Sequence, residues 1–231
     1  MDASAVIDRF GETRPAATDA EYHDHWRRWI HVSRTMQSSS TGVGVMAVLI
    51  KVFDLSGSWV VRHLTLMYRH HYNVVCFDKL DYCASLNNIA QLDGESNFSF
   101  YKGDVTNSSD VMDCLRKHDI DTVLHFAAQS HVDLSYGHSY QFTLTNVFGT
   151  EVLLECAKQH GKICRFIHVS TDEVYGETKV GQDDLVEESP LAPTNPYAAS
   201  KAAAEMLVHA YSKSFQLPTI VVRSNNVYGP R

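Results

Sequence analysis

The chain has 231 residues, 44% of them hydrophobic and 20% charged, enough for one large globular domain or two small ones. Its formal net charge of −7 argues against a nucleic-acid partner, because phosphate neutralisation needs a basic face. The best apolar run, 43–53, is short and interrupted by Lys51, and the N-terminus has no apolar signal core, so no membrane partner is expected either.

Residues 1–40, rich in Asp, Arg, Ser and Thr without a sustained period, are expected to form a disordered extension. Beyond them, short apolar runs alternate with longer helical ones. A buried strand is predicted over 45–50, followed by a helix whose inner face carries Val60, Leu64 and Met67. Strands follow over 73–77 and 98–101, then a helix around 111–115 and a fourth strand over 122–126. The segment 142–156 reads as helical and 164–169 as a fifth strand. A long helix over 196–215 starts with Asn195 as N-cap and Pro196 in its first turn, and 219–222 is a sixth strand. Continuous Val/Ile/Leu-rich strands separated by helices imply an α/β fold: a doubly wound parallel sheet of Rossmann type, covered on both faces. Its ligand belongs beyond the carboxyl ends of the strands.

Five cysteines, Cys76, Cys83, Cys114, Cys156 and Cys164, show no Cys-x-x-Cys spacing, and four lie in or beside apolar runs. They read as reduced thiols of a cytoplasmic protein. His23 with His25, and His70 with His71, lack convincing ligand spacing, so no metal is expected.

The strand ends carry the candidate chemistry. The second strand ends in Asp78, about 20 residues beyond Gly57, where a carboxylate can bind a ribose 2′-hydroxyl and favour NAD over NADP. The third leads into Gly103, Asp104 and Val105, and the fourth ends in Phe126, Ala127 and Ala128, whose small side chains let backbone approach a cofactor. The fifth ends in Ser170, Thr171, Asp172 and Glu173, and the sixth in Ser224, Asn225 and Asn226. On the long helix Tyr197 and Lys201 stand one turn apart on one face. A free tyrosine titrates near pH 10, but a neighbouring ammonium and the helix N-terminus both stabilise a phenolate. Tyr197 can then accept a proton from a substrate hydroxyl as hydride leaves the same carbon.

From about Asn73 to Arg231 the chain resembles the extended short-chain dehydrogenase/reductases, and among them the nucleotide-sugar 4,6-dehydratases acting on dTDP- or UDP-glucose. The resemblance is carried by 78–82, by 125–133, by Thr145 and Asn146, by 170–176, by 193–197 and by 226–230. The stretch Ser170, Thr171, Asp172, Glu173, Val174, Tyr175, Gly176 is the most specific, since related epimerases and decarboxylases generally lack the acidic pair. The resemblance implies a hydro-lyase with tightly held NAD. Tyr197 would deprotonate the sugar 4-hydroxyl, with Lys201 holding Tyr197 and the cofactor ribose, and Thr171 bonded near that hydroxyl. Glu173 would remove the C5 proton and Asp172 would protonate the departing 6-hydroxyl. It further implies cofactor contacts at Gly57, Asp78, Lys79, Leu80, Asp104, Val105, Phe126, Ala127, Ala128, Gln129, Thr145, Tyr197 and Lys201. Substrate contacts fall at Ser130, Thr171 and Asn226. Pairing into a homodimer is implied through helices around 142–156 and 196–215.

Two departures qualify this. The family opens with Thr-Gly-Gly-x-Gly-Phe-Ile-Gly; here the matching residues are Ile50, Lys51, Val52, Phe53, Asp54, Leu55, Ser56 and Gly57, and only the last glycine remains. Side chains at Lys51 and Asp54 would obstruct a pyrophosphate, which predicts impaired NAD binding. The chain also stops at Arg231, before the family's smaller substrate lobe, so that lobe is expected to be largely missing and the chain to be a fragment, or a gene product misread around 41–56. An epimerase or decarboxylase, and a non-catalytic nucleotide-binding protein, stand as the alternatives.

Overall fold

The computed structural model describes residues 5–7, 13–15, 44–49, 55–69, 71–81, 84–178 and 184–226. The chain divides into two compact units, Met1–Gly42 and Val43–Arg231. In the first, strands β1 (Ala5–Ile7) and β2 (Thr13–Pro15) pair antiparallel; the rest of the expected extension lies outside the described residues.

The second unit is built on six parallel strands: β3 (Gly44–Leu49), β4 (Tyr72–Asp78), β5 (Phe98–Lys102), β6 (Thr122–His125), β7 (Arg165–Thr171) and β8 (Thr219–Ser224). Their lateral order is β5-β4-β3-β6-β7-β8. Counted from β3, that is the order 3-2-1-4-5-6 of the dinucleotide-binding Rossmann fold, with the reversal between β3 and β6. Every predicted strand of the sheet is present, within two residues of its expected ends.

Strand β4 shows why both faces are covered. Successive side chains point to opposite faces. Val75 and Phe77 join a core with Val111, Cys114 and Leu115 of α2 (Ser108–Lys117), Leu153, Leu154 and Ala157 of α5 (Gly149–His160), and Val208 of α6 (Pro196–Phe215). Val74 and Cys76 join a second core with Val61 and Leu64 of α1 (Leu55–Met67), Ile89, Leu92 and Phe126. The predicted inner face of α1 is therefore corrected: Val61, Leu64 and Thr65 are buried, Val60 is half-buried, and Met67 is 67% exposed. A helix with apolar residues on several sides leaves its orientation to the sheet it meets.

The caps follow the sequence. Asn107 starts α2 and Asn195 starts α6, each side chain accepting a backbone N–H of the first turn, and Gly161 ends α5 in the left-handed region at φ 71°. The predicted helix over 142–156 is not uniform. Two short helices, α3 (Val132–Gly137) and α4 (Ser139–Phe142), precede a π-helical turn over Thr143–Phe148, which runs into α5. The widened turn brings the adjacent Thr145 and Asn146 both inside. Gly149, at its end, lies so close to the loop after β5 that a Cβ there would stand 2.8 Å from Val105 Cγ1.

Three thiols, Cys76, Cys114 and Cys156, are buried and free, whereas Cys164 is exposed rather than in the core and donates to Asp121 O at 3.2 Å. Cys83 lies outside the described residues. Burial pushes the Cys114 thiol up to about 12 and Cys76 also upward, so both are chemically quiet.

Candidate functional site

All six strands of the sheet are parallel, so their carboxyl ends share one edge, where Asp78 stands level with Lys102, His125 with His168 and Thr171 with Ser224. Two groups of residues gather there.

The first is a cleft enclosing roughly 360 Å³, part of it open to solvent. Eight residues expected to touch cofactor line it together: Asp78, Lys79, Asp104, Val105, Ala127, Ala128, Gln129 and Thr145. Gly103, expected at the end of the third strand, and Phe77, which the sequence did not point to, complete the lining. Asp78 is 2% exposed, and its Oδ1 accepts Leu80 N–H at 2.6 Å. Leu80 reaches that bond with φ 57°, a left-handed conformation that non-glycine residues adopt at a cost of about 1–2 kcal/mol. Leu80 therefore orients Asp78 through backbone and does not line the cleft. Phe126 does not line it either: its ring is buried in the core beside α1, leaving its backbone as the part nearest the strand end. Gly57, buried in the first turn of α1, also lies outside the lining, and Lys51 and Asp54 lie outside the described residues.

Asn146 holds the cleft to the second group. Its Oδ1 accepts Gln129 N–H at 2.7 Å, while Nδ2 donates to Gln129 O at 3.0 Å and to Ser200 Oγ at 2.9 Å. Ser200 Oγ in turn donates to Tyr197 O at 2.7 Å. This link was missed from sequence; a polar residue inside an otherwise amphipathic helical stretch was the available signal.

The second group joins the two motifs. β7 runs through Thr171, and a 3₁₀ turn over Asp172–Tyr175 follows. Thr171 Oγ accepts Glu173 N–H and donates to Asp172 Oδ1, both at 3.3 Å. Asn195, the N-cap of α6, accepts Ala198 N–H at 2.8 Å and donates from Nδ2 to Glu173 Oε2 at 2.9 Å. On α6, Lys201 is 4% exposed and donates to Val169 O at 2.6 Å, while the half-buried Tyr197 ring packs edge-on to Phe142 with centroids 6.3 Å apart. The turn is pinned at its far end as well. Gly176 has φ 81°, and a Cβ there would stand 2.2 Å from Ala192 O. Arg223 of β8 donates to Tyr175 Oη at 2.6 Å and to Glu187 O at 2.8 Å, and forks onto the buried Glu205 of α6, with Nη2 2.8 Å from Oε2. Charged residues at strand and helix positions that pattern as core were the signal for this clamp. Of the expected substrate contacts, Ser130 and Asn226 are exposed at the ends of their segments and Thr171 is buried.

Beneath Lys201, His125 and His168 face each other across β6 and β7, ring centroids 5.2 Å apart, both fully buried. Thr150 spends its hydroxyl proton on Asn146 O at 2.6 Å, so it accepts from His125 Nε2 at 2.8 Å. His125 Nδ1 and both nitrogens of His168 have no hydrogen-bond partner among the described residues. Burial, and then the Lys201 charge, hold the His125 imidazole down to about 3 and His168 well below its ordinary value. Both rings are neutral at physiological pH.

The family model described as GDP-mannose 4,6 dehydratase matches residues 55–231. A trifunctional UDP-glucose 4,6-dehydratase/3,5-epimerase/reductase of Arabidopsis thaliana is 56% identical over 162 residues, covering 69% of this chain and 24% of that protein. Human dTDP-D-glucose 4,6-dehydratase is 48% identical over 160 residues, covering 69% and 45% respectively. The crystal structure of dTDP-glucose 4,6-dehydratase from Bacillus anthracis in complex with NAD superposes with a TM-score of 0.72 at 36% identity, over 81% of this chain and 56% of that one. The chain thus spans between a quarter and about half of the length of these relatives.

Proposed function

This chain belongs to the GDP-mannose 4,6 dehydratase family, and from that premise we propose that it is the nucleotide-binding part of an NAD-dependent 4,6-dehydratase acting on UDP- or dTDP-glucose. The observation that carries the reading is the 2.9 Å bond from Asn195 to Glu173. It ties the acidic turn after β7 to the first turn of the helix bearing Tyr197 and Lys201, so one constellation holds a phenol, an ammonium and two carboxyls. An epimerase has no use for the pair of carboxyls; a dehydratase needs both.

The donor set of the cleft fits the adenosine end of NAD. Asp78 offers a carboxylate at the end of the second sheet strand, where a ribose hydroxyl can donate to it, and Ala127 and Ala128 leave their backbone accessible. NAD, when bound, supplies the acceptor and donor of hydride. Tyr197 takes the proton of the sugar 4-hydroxyl, and Lys201, fixed by Val169 O, keeps positive charge beside that phenol. Thr171 hydrogen-bonds near the same hydroxyl. The ketone formed at C4 acidifies C5, whose proton Glu173 removes, while Asp172 delivers a proton to the departing 6-hydroxyl. The exposed Ser130 and Asn226 are assigned to the sugar nucleotide, Gly57 and Phe126 to cofactor contacts through backbone, and Leu80 to holding Asp78 for the cofactor. A homodimer is proposed through α5 and α6, supported by the exposure of Phe148, just before α5, and of Met206 on α6, and a reducing, cytoplasmic location is supported by the buried free thiols.

The test is to incubate the chain with NAD and either UDP-glucose or dTDP-glucose. A 4-keto-6-deoxy product without net reduced cofactor supports the reading, and Glu173→Gln and Tyr197→Phe should then each lower its rate about a hundredfold or more. A C4 epimer, or neither product nor NAD binding, overturns the reading.

A further inference from the structure

Lys79 is the only cation among the described residues lining the cleft, and it is already engaged. Its Nζ lies 3.2 Å from Asp81 Oδ2 and 3.9 Å from Asp104 Oδ2. Each carboxylate is oriented by partners of its own. Asp81 Oδ2 accepts from Gln129 Nε2 at 3.4 Å. Asp104 Oδ1 accepts from Thr106 N at 2.9 Å and Thr106 Oγ at 2.8 Å, and Asp104 N–H is held by Asp110 Oδ2 at 2.9 Å. The pair is half-exposed and adds little stability. Its consequence is where the positive charge sits.

A phosphate on the adenosine 2′-oxygen would arrive beside the Asp78 carboxylate, and among the described residues lining the cleft the one side chain able to offset that repulsion is Lys79. We propose that Asp81 and Asp104 are specificity-determining residues that hold the Lys79 ammonium and so bar a 2′-phosphorylated dinucleotide. Discrimination against NADP then has two layers: repulsion by Asp78, and sequestration of the neighbouring cation. The inference rests on the dinucleotide reading of this cleft. It predicts that Asp81→Asn and Asp104→Asn together release a lysine able to make a charge-assisted bond to phosphate. Both substitutions keep the side-chain oxygens that accept from Gln129 and Thr106.

The test uses the two halves of the question: 5′-AMP and adenosine 2′,5′-bisphosphate, titrated calorimetrically into the full chain at fixed low salt. The two ligands share the 5′-phosphate and differ only at the 2′-oxygen, so their ratio isolates the ribose end. The wild-type chain should prefer 5′-AMP by at least about tenfold, and the double variant should narrow that ratio by roughly tenfold. Asp81→Asn alone, which leaves the Thr106 turn untouched, should give part of the change. Adding Lys79→Met to the double variant should restore the wild-type ratio. An unchanged ratio in the double variant, or a gain that persists without Lys79, overturns the inference. A parallel NAD titration of the wild-type chain separates the two readings: binding with an unchanged ratio sinks this inference alone, and no binding of any of the three ligands sinks the cofactor reading with it.

Discussion

Acidification should unfold this protein earlier than its carboxylates alone would dictate, because His125 and His168 are folded into the sheet as neutral rings. His125 is held down to about 3 by burial and by Lys201, against 6.5 for an ordinary imidazole. Its folded value is depressed, so the unfolded chain binds the extra proton. The stability it permits is fully present above pH 6.5 and declines as pH falls from 6.5 toward 3. At pH 5 the unfolded state is favoured by about 2 kcal/mol through His125 alone. His168 shifts in the same direction and adds to the slope over the same window, starting at 6.5. The assay is urea denaturation monitored by circular dichroism at half-unit intervals between pH 7.5 and 5, for wild type and His125→Asn. The variant should be less stable at pH 7, having lost its bond to Thr150, but its stability should fall with about one proton less dependence between pH 6.5 and 5. A variant whose curve stays parallel to wild type through that window would refute the assignment of His125 as a ring that folds neutral.

Two further substitutions separate stability from chemistry. Asn195→Ser keeps a good N-cap for α6 and loses the donor to Glu173; stability should change by under about 0.5 kcal/mol, whereas Asn195→Ala should lose about 1 kcal/mol, and both should depress turnover of the sugar nucleotide. Thermal melts read beside product formation distinguish the two roles. Arg223→Met strands the buried carboxylate of Glu205 and should cost about 3 kcal/mol in chemical denaturation, with Glu205→Met in the same chain recovering much of it. If the double variant is no more stable than Arg223→Met, the clamp is not the source of the loss.

The sequence by itself determined the sheet and the residues on its functional edge. Six apolar runs of strand length, separated by helical spacing, permit little else, and burial on both faces makes an inner strand hydrophobic on both sides, as in 74–77. The start of α6 was equally legible, since Asn195 and Pro196 act through local backbone chemistry. What the linear pattern left open was every choice made by a neighbour. Which side of α1 turns inward was decided by Val74 and Cys76 on the sheet, which took Val61 and exposed Met67. The π-helical turn over Thr143–Phe148 exists where Gly149 meets Val105 and Asn146 meets Gln129, contacts between residues far apart in the chain. Phe126, read as a cofactor contact, was drawn by its ring into the core. Asp172 and Glu173 could be read as a chemical pair from their adjacency alone. That Asn195 and Arg223 fix their turn against the Tyr197 helix follows from side chains meeting across β7, β8 and α6, and hydrogen bonds of that range have no periodicity to announce them.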